Sequence, residues 1–170
     1  MEKRGQIAVE YILIIAIALM ILIPAVCVFR NYAFESNERI MEQRLAELSN
    51  EIIVKASKIY YYGPPSKSVV SLEMPPQINN MYVLFSNQTD ESFFVFNIQS
   101  KNGQKDIFYQ SDIPLDSDGD ICNPNTECLK GFCKCFPERF YSKGLKNFVL
   151  EAREVCTMEG SCVVINEGSS

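Results

Sequence analysis

Hydrophobic and polar positions divide the chain into three regimes. Residues 11–29 form an apolar run of 19 residues without a charge, close to the roughly 20 that a helix needs to cross a bilayer. Beyond it, Phe34, Met41, Leu45, Leu48, Ile52, Ala56 and Ile59 recur in steps of 7, 4, 3, 4, 4 and 3, which places them on one face of a helix. Glu38, Arg39, Glu42, Gln43, Glu47, Asn50 and Glu51 make the opposite face, and Glu51 and Lys55 stand at the i,i+4 spacing of a helical ion pair. Gly63-Pro64-Pro65 stops the helix, because glycine caps and tandem proline cannot continue the hydrogen-bond ladder. A helix over residues 6–60 would be about 80 Å long at ~1.5 Å per residue. Pro24 removes one backbone donor from it, which a membrane helix tolerates as a kink.

After Pro65 the period shifts from 3.6 toward 2, with strand candidates at 68–74, 81–86, 93–99, 105–109, 148–154 and 162–166. Pro75-Pro76 and Lys101-Asn102-Gly103 supply turns between them. The pattern predicts an α+β fold: a long N-terminal hydrophobic helix whose second half is an amphipathic stalk, packed on a small antiparallel β-sheet head with a Cys-rich loop.

Composition narrows the chemistry. A formal net charge of −5 and the lack of any basic stripe argue against a nucleic-acid partner, since phosphate binding needs clustered Lys and Arg. The chain has no His and no Trp, so His-based triads, His metal sites and imidazole acid–base chemistry are all excluded. No nucleophile–base pair or cofactor fingerprint is visible, and an enzyme is not expected. One cysteine, Cys27, lies in the apolar run; the other six, Cys122, Cys128, Cys133, Cys135, Cys156 and Cys162, fall in the last 50 residues. An even, clustered set beyond an export-type N-terminus reads as disulfides formed in an oxidising compartment.

The N-terminus itself admits several readings. Lys3 and Arg4 precede the apolar run, whereas Arg30 is soon followed by Glu35 and Glu38, so the charge bias puts the N-terminus in the cytoplasm and the head outside. A removable secretory signal would use Ala16-Ile17-Ala18, yet the apolar sequence continues well past it. A lipid-attachment site at Cys27 is disfavoured by the bulk of Val26. A plain uncleaved anchor fits in length but leaves Glu10 unexplained, since an ionised side chain in a spanning helix is costly and usually has a partner or a purpose.

Lys3-Arg4-Gly5-Gln6 followed by Ile7-Ala8-Val9-Glu10-Tyr11 and the long apolar run resembles the class III signal peptide of archaeal type IV pilin-like proteins. The resemblance implies that a prepilin peptidase cuts between Gly5 and Gln6, removing a basic leader of residues 1–5 and keeping the helix. It also implies that Glu10 pairs with the new α-amino group of Gln6 on a neighbouring subunit as the helices pack into a filament core, and that Pro24 marks a place of local melting on packing. Glycine before the cut suits a peptidase that needs extended backbone, because a residue without Cβ enters such a cleft freely. Ala8 departs from the Ser or Thr that many members carry, but remains small. Residues 144–151, Gly-Leu-Lys-Asn-Phe-Val-Leu-Glu, also resemble the closing strands of that family.

The head carries one unusual insertion, DSDGDICNPNTECLKGFCKCF. Asp116, Asp118, Asp120 and Glu127 occupy positions 1, 3, 5 and 12 of an EF-hand-type loop, the spacing of a calcium site. Ile121 stands at the sixth position, where the turn wants Gly, so an acidic turn held by Asx hydrogen bonds is the competing reading. Zinc would need paired C-x2-C hooks, and Cys128-x4-Cys133-x-Cys135 does not supply them. If Cys133 and Cys135 lie on one strand they share a face, and each is expected to bond elsewhere rather than to the other. Asn87-Gln88-Thr89 is an N-glycosylation sequon in a predicted turn.

The expected organisation is therefore a leader 1–5, a membrane or filament-core helix 6–29, a stalk helix 30–62 and a β-rich head 63–170 with the disulfide-rich insertion at 112–137. The expected function is that of a structural pilin-like subunit, cleaved by a prepilin peptidase, partnered by itself or other pilins, membrane-held before assembly, and carried to a surface filament used for adhesion. A monomeric membrane-anchored binding module with a Cys-rich, calcium-loaded loop is the alternative.

Overall fold

The computed structural model describes residues 3–86, 91–100, 103–122, 132–156 and 160–168, with side chains described from Glu10 onward. Helix α1 runs from Lys3 to Tyr62 and is continuous through Pro24. It ends where the sequence requires: Gly63 adopts φ +76° and its N–H donates to the carbonyls of Ile59 and Tyr60, both at 3.1 Å, the left-handed cap that glycine makes without steric cost. Among the described residues, eight strands and a one-turn helix follow: β1 (Lys67–Met74), β2 (Ile78–Ser86), β3 (Glu91–Ser100), β4 (Gly103–Ser111), β5 (Leu115–Ser117), β6 (Phe132–Cys135), α2 (Glu138–Tyr141), β7 (Gly144–Arg153) and β8 (Cys162–Glu167).

The chain divides into two compact units, Met1–Ile40 and Met41–Ser170. In the first, every described side chain from residue 10 to residue 32 is exposed. That is the signature of a helix whose apolar surface is meant for a partner or a lipid phase. Phe34, which the periodicity puts on the stalk's apolar face, belongs to this unit and is 57% exposed.

The second unit is the head. Its described strands form two sheets, β1-β7-β8-β5 and β4-β3-β2-β6. The fold class is the expected α+β, but the single small antiparallel sheet of the sequence reading becomes two four-stranded sheets, and β5 pairs with β8 in parallel. The six strand candidates correspond to β1, β2, β3, β4, β7 and β8, most of them a residue or more longer than the alternation suggests. Strands β5 and β6 escape sequence reading because three and four residues carry no detectable period; Leu115, Asp116 and Ser117 are all buried.

The helix from Met41 onward is the inner wall of this head. Met41, Leu45, Ile52, Ala56 and Ile59 join one core with Val70, Leu72, Phe148, Leu150 and Ile165 of one sheet and Met81, Phe94, Phe96 and Ile98 of the other. A run of aromatic contacts crosses that core, from Phe96 to Phe94 at 4.9 Å between ring centroids, then Phe136 at 6.0 Å, Phe140 at 5.3 Å and Phe148 at 5.7 Å. Polar ties sit at its margin. The Tyr109 hydroxyl donates to the Glu42 carbonyl at 3.3 Å, and Lys105 pairs with the Glu42 carboxylate. Burial, with the Glu42 charge, pushes the Tyr109 phenol up to about 12, so it stays a hydrogen-bond donor.

Ile52 is completely buried at the centre of this wall. Replacing it with Ala should lower the unfolding free energy of the head by about 2–4 kcal/mol, the cost of lost transfer energy and a residual cavity. Phe34→Ala should leave the same transition within about 0.5 kcal/mol. Denaturant titration of the full chain in micelles, followed by tyrosine fluorescence, distinguishes the two.

Candidate functional site

Two regions carry the residues that sequence reading singles out. The first is the beginning of α1. Gly5 and Gln6 lie in its opening turn, where backbone N–H groups have no intrahelical partner. Unwinding this turn to present an extended peptide to a protease therefore breaks few hydrogen bonds. Glu10 is exposed, and no other charged residue appears between it and Arg30. By length and composition the helix is long and apolar enough to cross a membrane, with its apolar window wholly unburied. Cys27 is a free, exposed thiol within it.

The second region is the acidic, Cys-rich insertion, whose described residues run beside β6, where Ile121 bridges Lys134 in antiparallel fashion. There Tyr82, Val95, Cys122 and Cys133 form a small core of their own, with Leu84, Phe93 and Cys135 packed against it. Cys122 is bonded to Cys135, with Cα atoms 5.0 Å apart, and Cys156 to Cys162 at 6.1 Å. Cys133 is also disulfide-bonded. Cys133 and Cys135 thus share a strand and a face without bonding each other, as expected from β geometry. Main-chain bonds reinforce the first bridge: Cys122 N–H donates to the Cys133 carbonyl at 3.2 Å and Cys135 N–H to the Asp120 carbonyl at 2.9 Å. Gly119 passes so close that a Cβ there would collide with the Cys135 carbonyl oxygen, which is why a residue without a side chain stands at this point.

The aspartates of the insertion are held by cations from other strands. Asp116, buried in β5, pairs with Lys134 of β6 at 2.9 Å and accepts the Ser117 N–H at 2.7 Å. Asp118 takes both guanidinium nitrogens of Arg153, at 3.0 and 3.1 Å. Asp120 is exposed. Gly119 N–H donates to the Ser117 hydroxyl at 2.9 Å, so the segment has the local side-chain-to-backbone bonds of an acidic turn. A calcium ion would have to compete with Lys134 and Arg153 for these carboxylates. Glu127, Cys128 and the sequon at Asn87 lie outside the described residues. Among the described residues, Asp116 has a carboxylate oxygen within 4.8 Å of the Cys156 and Cys162 sulfurs, but those sulfurs are joined to each other and offer no thiolate.

Sequence reading missed the cations. Arg153 also binds Glu151 at 3.0 Å, and Glu151 binds Lys67 at 2.7 Å, so a line of ion pairs runs from β1 through β7 to the turn after β5. Nothing in the local spacing of Lys67, Glu151, Arg153 and Asp118 announces it, because the strands that bring them together are far apart in sequence. Lys67 first, and then Arg153, hold the Glu151 carboxyl below its ordinary value.

Comparison with known proteins bears on the first region. Residues 3–29 match the family model described as Class III signal peptide. No curated protein and no solved structure matches the chain. The N-terminal segment is therefore a class III signal peptide, the mark of an exported protein kept on its apolar helix. In this segment the chain is similar to type IV pilin-like proteins, and the signal-bearing helix leads into a disulfide-bonded α+β head.

The ion-pair line sets an acid limit. A carboxyl whose folded pKa lies below its unfolded value contributes stability that is fully present above the unfolded value and is lost as pH falls through the folded one. Glu151→Gln should therefore melt below the wild-type chain at pH 7, and the gap should close as pH drops below about 4.5, the ordinary value from which Glu151 is lowered. Thermal scans of both chains between pH 7 and pH 3 give the comparison; a gap that widens in acid would contradict the assignment.

Proposed function

We propose that the chain is a structural subunit of an extracellular type IV pilus-like filament, cleaved between Gly5 and Gln6 by a prepilin peptidase and packed through its N-terminal helix against other copies or other pilins. The supporting observation is the class III signal peptide at residues 3–29 leading directly into a helix whose described apolar side chains are all exposed up to residue 32. Such a surface is stable in lipid before assembly and against like helices afterwards. The N-terminus would stay cytoplasmic until cleavage, the head would stand outside, and surface adhesion would be the filament's use.

Cleavage changes the electrostatics of the helix end. Before it, Lys3 and Arg4 lead the helix; after it, Gln6 carries a free α-amine and Glu10 is the fifth residue. The carboxylate then lies about 6 Å along the axis from the new terminus at ~1.5 Å per residue, inside the reach of the helix's positive end. An amine from a neighbouring copy completes the neutralisation, and in an apolar surrounding an unpaired charge is costly enough to fix the axial register.

Two outcomes test this reading. Gly5→Val should block processing, since a β-branched side chain resists the extended backbone that a cleft demands; intact-mass spectrometry should find Met1 or Glu2 retained, and a mature chain beginning at Gln6 would sink the cleavage assignment. Glu10→Gln should leave insertion and processing intact while cutting filament number at least about tenfold, the effect of losing a charge partner worth more than about 1.4 kcal/mol. Electron microscopy of surface filaments reads that out, and normal filament density would remove Glu10 from assembly.

A further inference from the structure

We propose that the membrane-held chain sits in its bilayer with Glu10 at one water boundary and Arg30 at the other, anchored by Tyr11 and Tyr32, so that the Glu10 carboxylate stays in contact with water until the helix leaves the lipid. Helix α1 is continuous from Lys3 to Tyr62, and no charge lies between Glu10 and Arg30. Those two residues stand 20 positions apart, about 30 Å at ~1.5 Å per residue, which is the thickness of a typical hydrocarbon core. A slide of one turn, about 5.4 Å, would draw one of the two charges into hydrocarbon. One register therefore satisfies both.

Tyrosines mark the same two boundaries. Tyr11 and Tyr32 are 66% and 71% exposed and 21 positions apart, about 32 Å along the helix. Tyrosine collects at both membrane–water interfaces, because its ring is apolar and its hydroxyl is wet. Arg30 stands just inside the second of these rings, and its long apolar stem lets the guanidinium extend to the headgroups. On the other side Lys3 and Arg4 fall about 9–10 Å beyond Glu10, at headgroup level, where anionic lipids of the cytoplasmic leaflet attract cations. The proposed cut between Gly5 and Gln6 then lies outside the hydrocarbon as well.

Before assembly the occupant of this surface is lipid and not a second copy of the helix. Helices that associate inside a membrane approach through small residues repeated four apart. Residues 11–29 contain no glycine, and Ala16, Ala18 and Ala25 are followed four places on by Met20, Leu22 and Phe29. Every side chain of the run is exposed, and a wall this bulky is solvated by acyl chains as well as by another helix. The consequence falls on Glu10. Its removal from water begins when the helix leaves the lipid, so pairing with an amine acts at assembly and not at insertion.

This placement rests on the membrane-held stage of the proposed function, and on neither cleavage nor filament building. Because the chain has no Trp, Tyr11→Trp, Ile21→Trp and Tyr32→Trp each supply a single fluorescent reporter. Each full-length, uncleaved variant is reconstituted at high lipid excess into dioleoylphosphatidylcholine vesicles doped with phosphatidylcholine brominated either near the headgroup or near the chain ends. Emission from Ile21→Trp should be quenched several-fold more by deep bromine than by shallow, and emission from Tyr11→Trp and Tyr32→Trp several-fold more by shallow than by deep. Adding Glu10→Leu to Tyr11→Trp should move its quenching toward the deep bromine, since the charge that holds the boundary is gone. Three results overturn the proposal: Tyr11→Trp quenched as deeply as Ile21→Trp, which would put Glu10 inside hydrocarbon; a Tyr11→Trp depth indifferent to Glu10→Leu; or Ile21→Trp shielded from deep bromine at high protein density and freed on dilution with lipid, which would assign the surface to a second copy. Quenching of none of the three reporters would defeat the membrane-held stage itself. The expected depths in a chain that builds no filaments would uphold the placement and defeat assembly alone.

Discussion

The head depends on one burial event, the docking of the helical stripe Met41, Leu45, Ile52, Ala56 and Ile59 onto both sheets at once. Neither sheet could remain in water with its inner face bare, because each presents Val, Leu, Ile and Phe along the whole of that face. The helix supplies the missing layer, and in doing so has its own conformation stabilised, since most helical stability in proteins comes from a packed face rather than from propensity. The side chains described from residue 10 to residue 32 are all exposed, a surface suited to lipid or to other chains.

The insertion solves a second, smaller burial problem. Tyr82 and Val95 lie outside the main core in a small cluster with Cys122 and Cys133, and the Cys122–Cys135 bridge fastens the acidic segment beside β6. The covalent link stabilises that segment by restricting the unfolded chain. Its acidic groups are drawn to Lys134 and Arg153, which ties it laterally to the rest of the head. Two of the four carboxylates at calcium-loop spacing, Asp116 and Asp118, are also ion-pair partners of residues distant in sequence.

Legibility followed the range of the interaction. The helix, its cap at Gly63 and six of the strands were readable because period and turn chemistry are local properties, and the signal peptide was readable because its residues are contiguous. The separation of Cys133 from Cys135 followed from strand geometry alone. What could not be read was set by pairing across distance: the second sheet, the three-residue β5, and the partners of Asp116 and Asp118. The division of α1 after Ile40 is of the same kind, since the apolar stripe runs on through Phe34 while its packing does not.

The order of strands in the first sheet, β1-β7-β8-β5, has a temporal side. Strand β8, the last of the described strands to leave a ribosome or a membrane pore, is an interior strand of that sheet, and β5 has no place in it until β8 arrives. Vectorial synthesis therefore delivers the helix first and the interlocking piece last. Until residue 167 is through, Leu115, Leu150 and the helical stripe stay partly open, and a chain in transit is an adhesive intermediate that must be kept from its neighbours. Pairings that join such distant segments form late in any case, because loop closure has to precede the contacts that reward it. A head built this way waits for β8 before β5 can be seated, so a chain halted before Glu167 lacks the strand that joins β7 to β5.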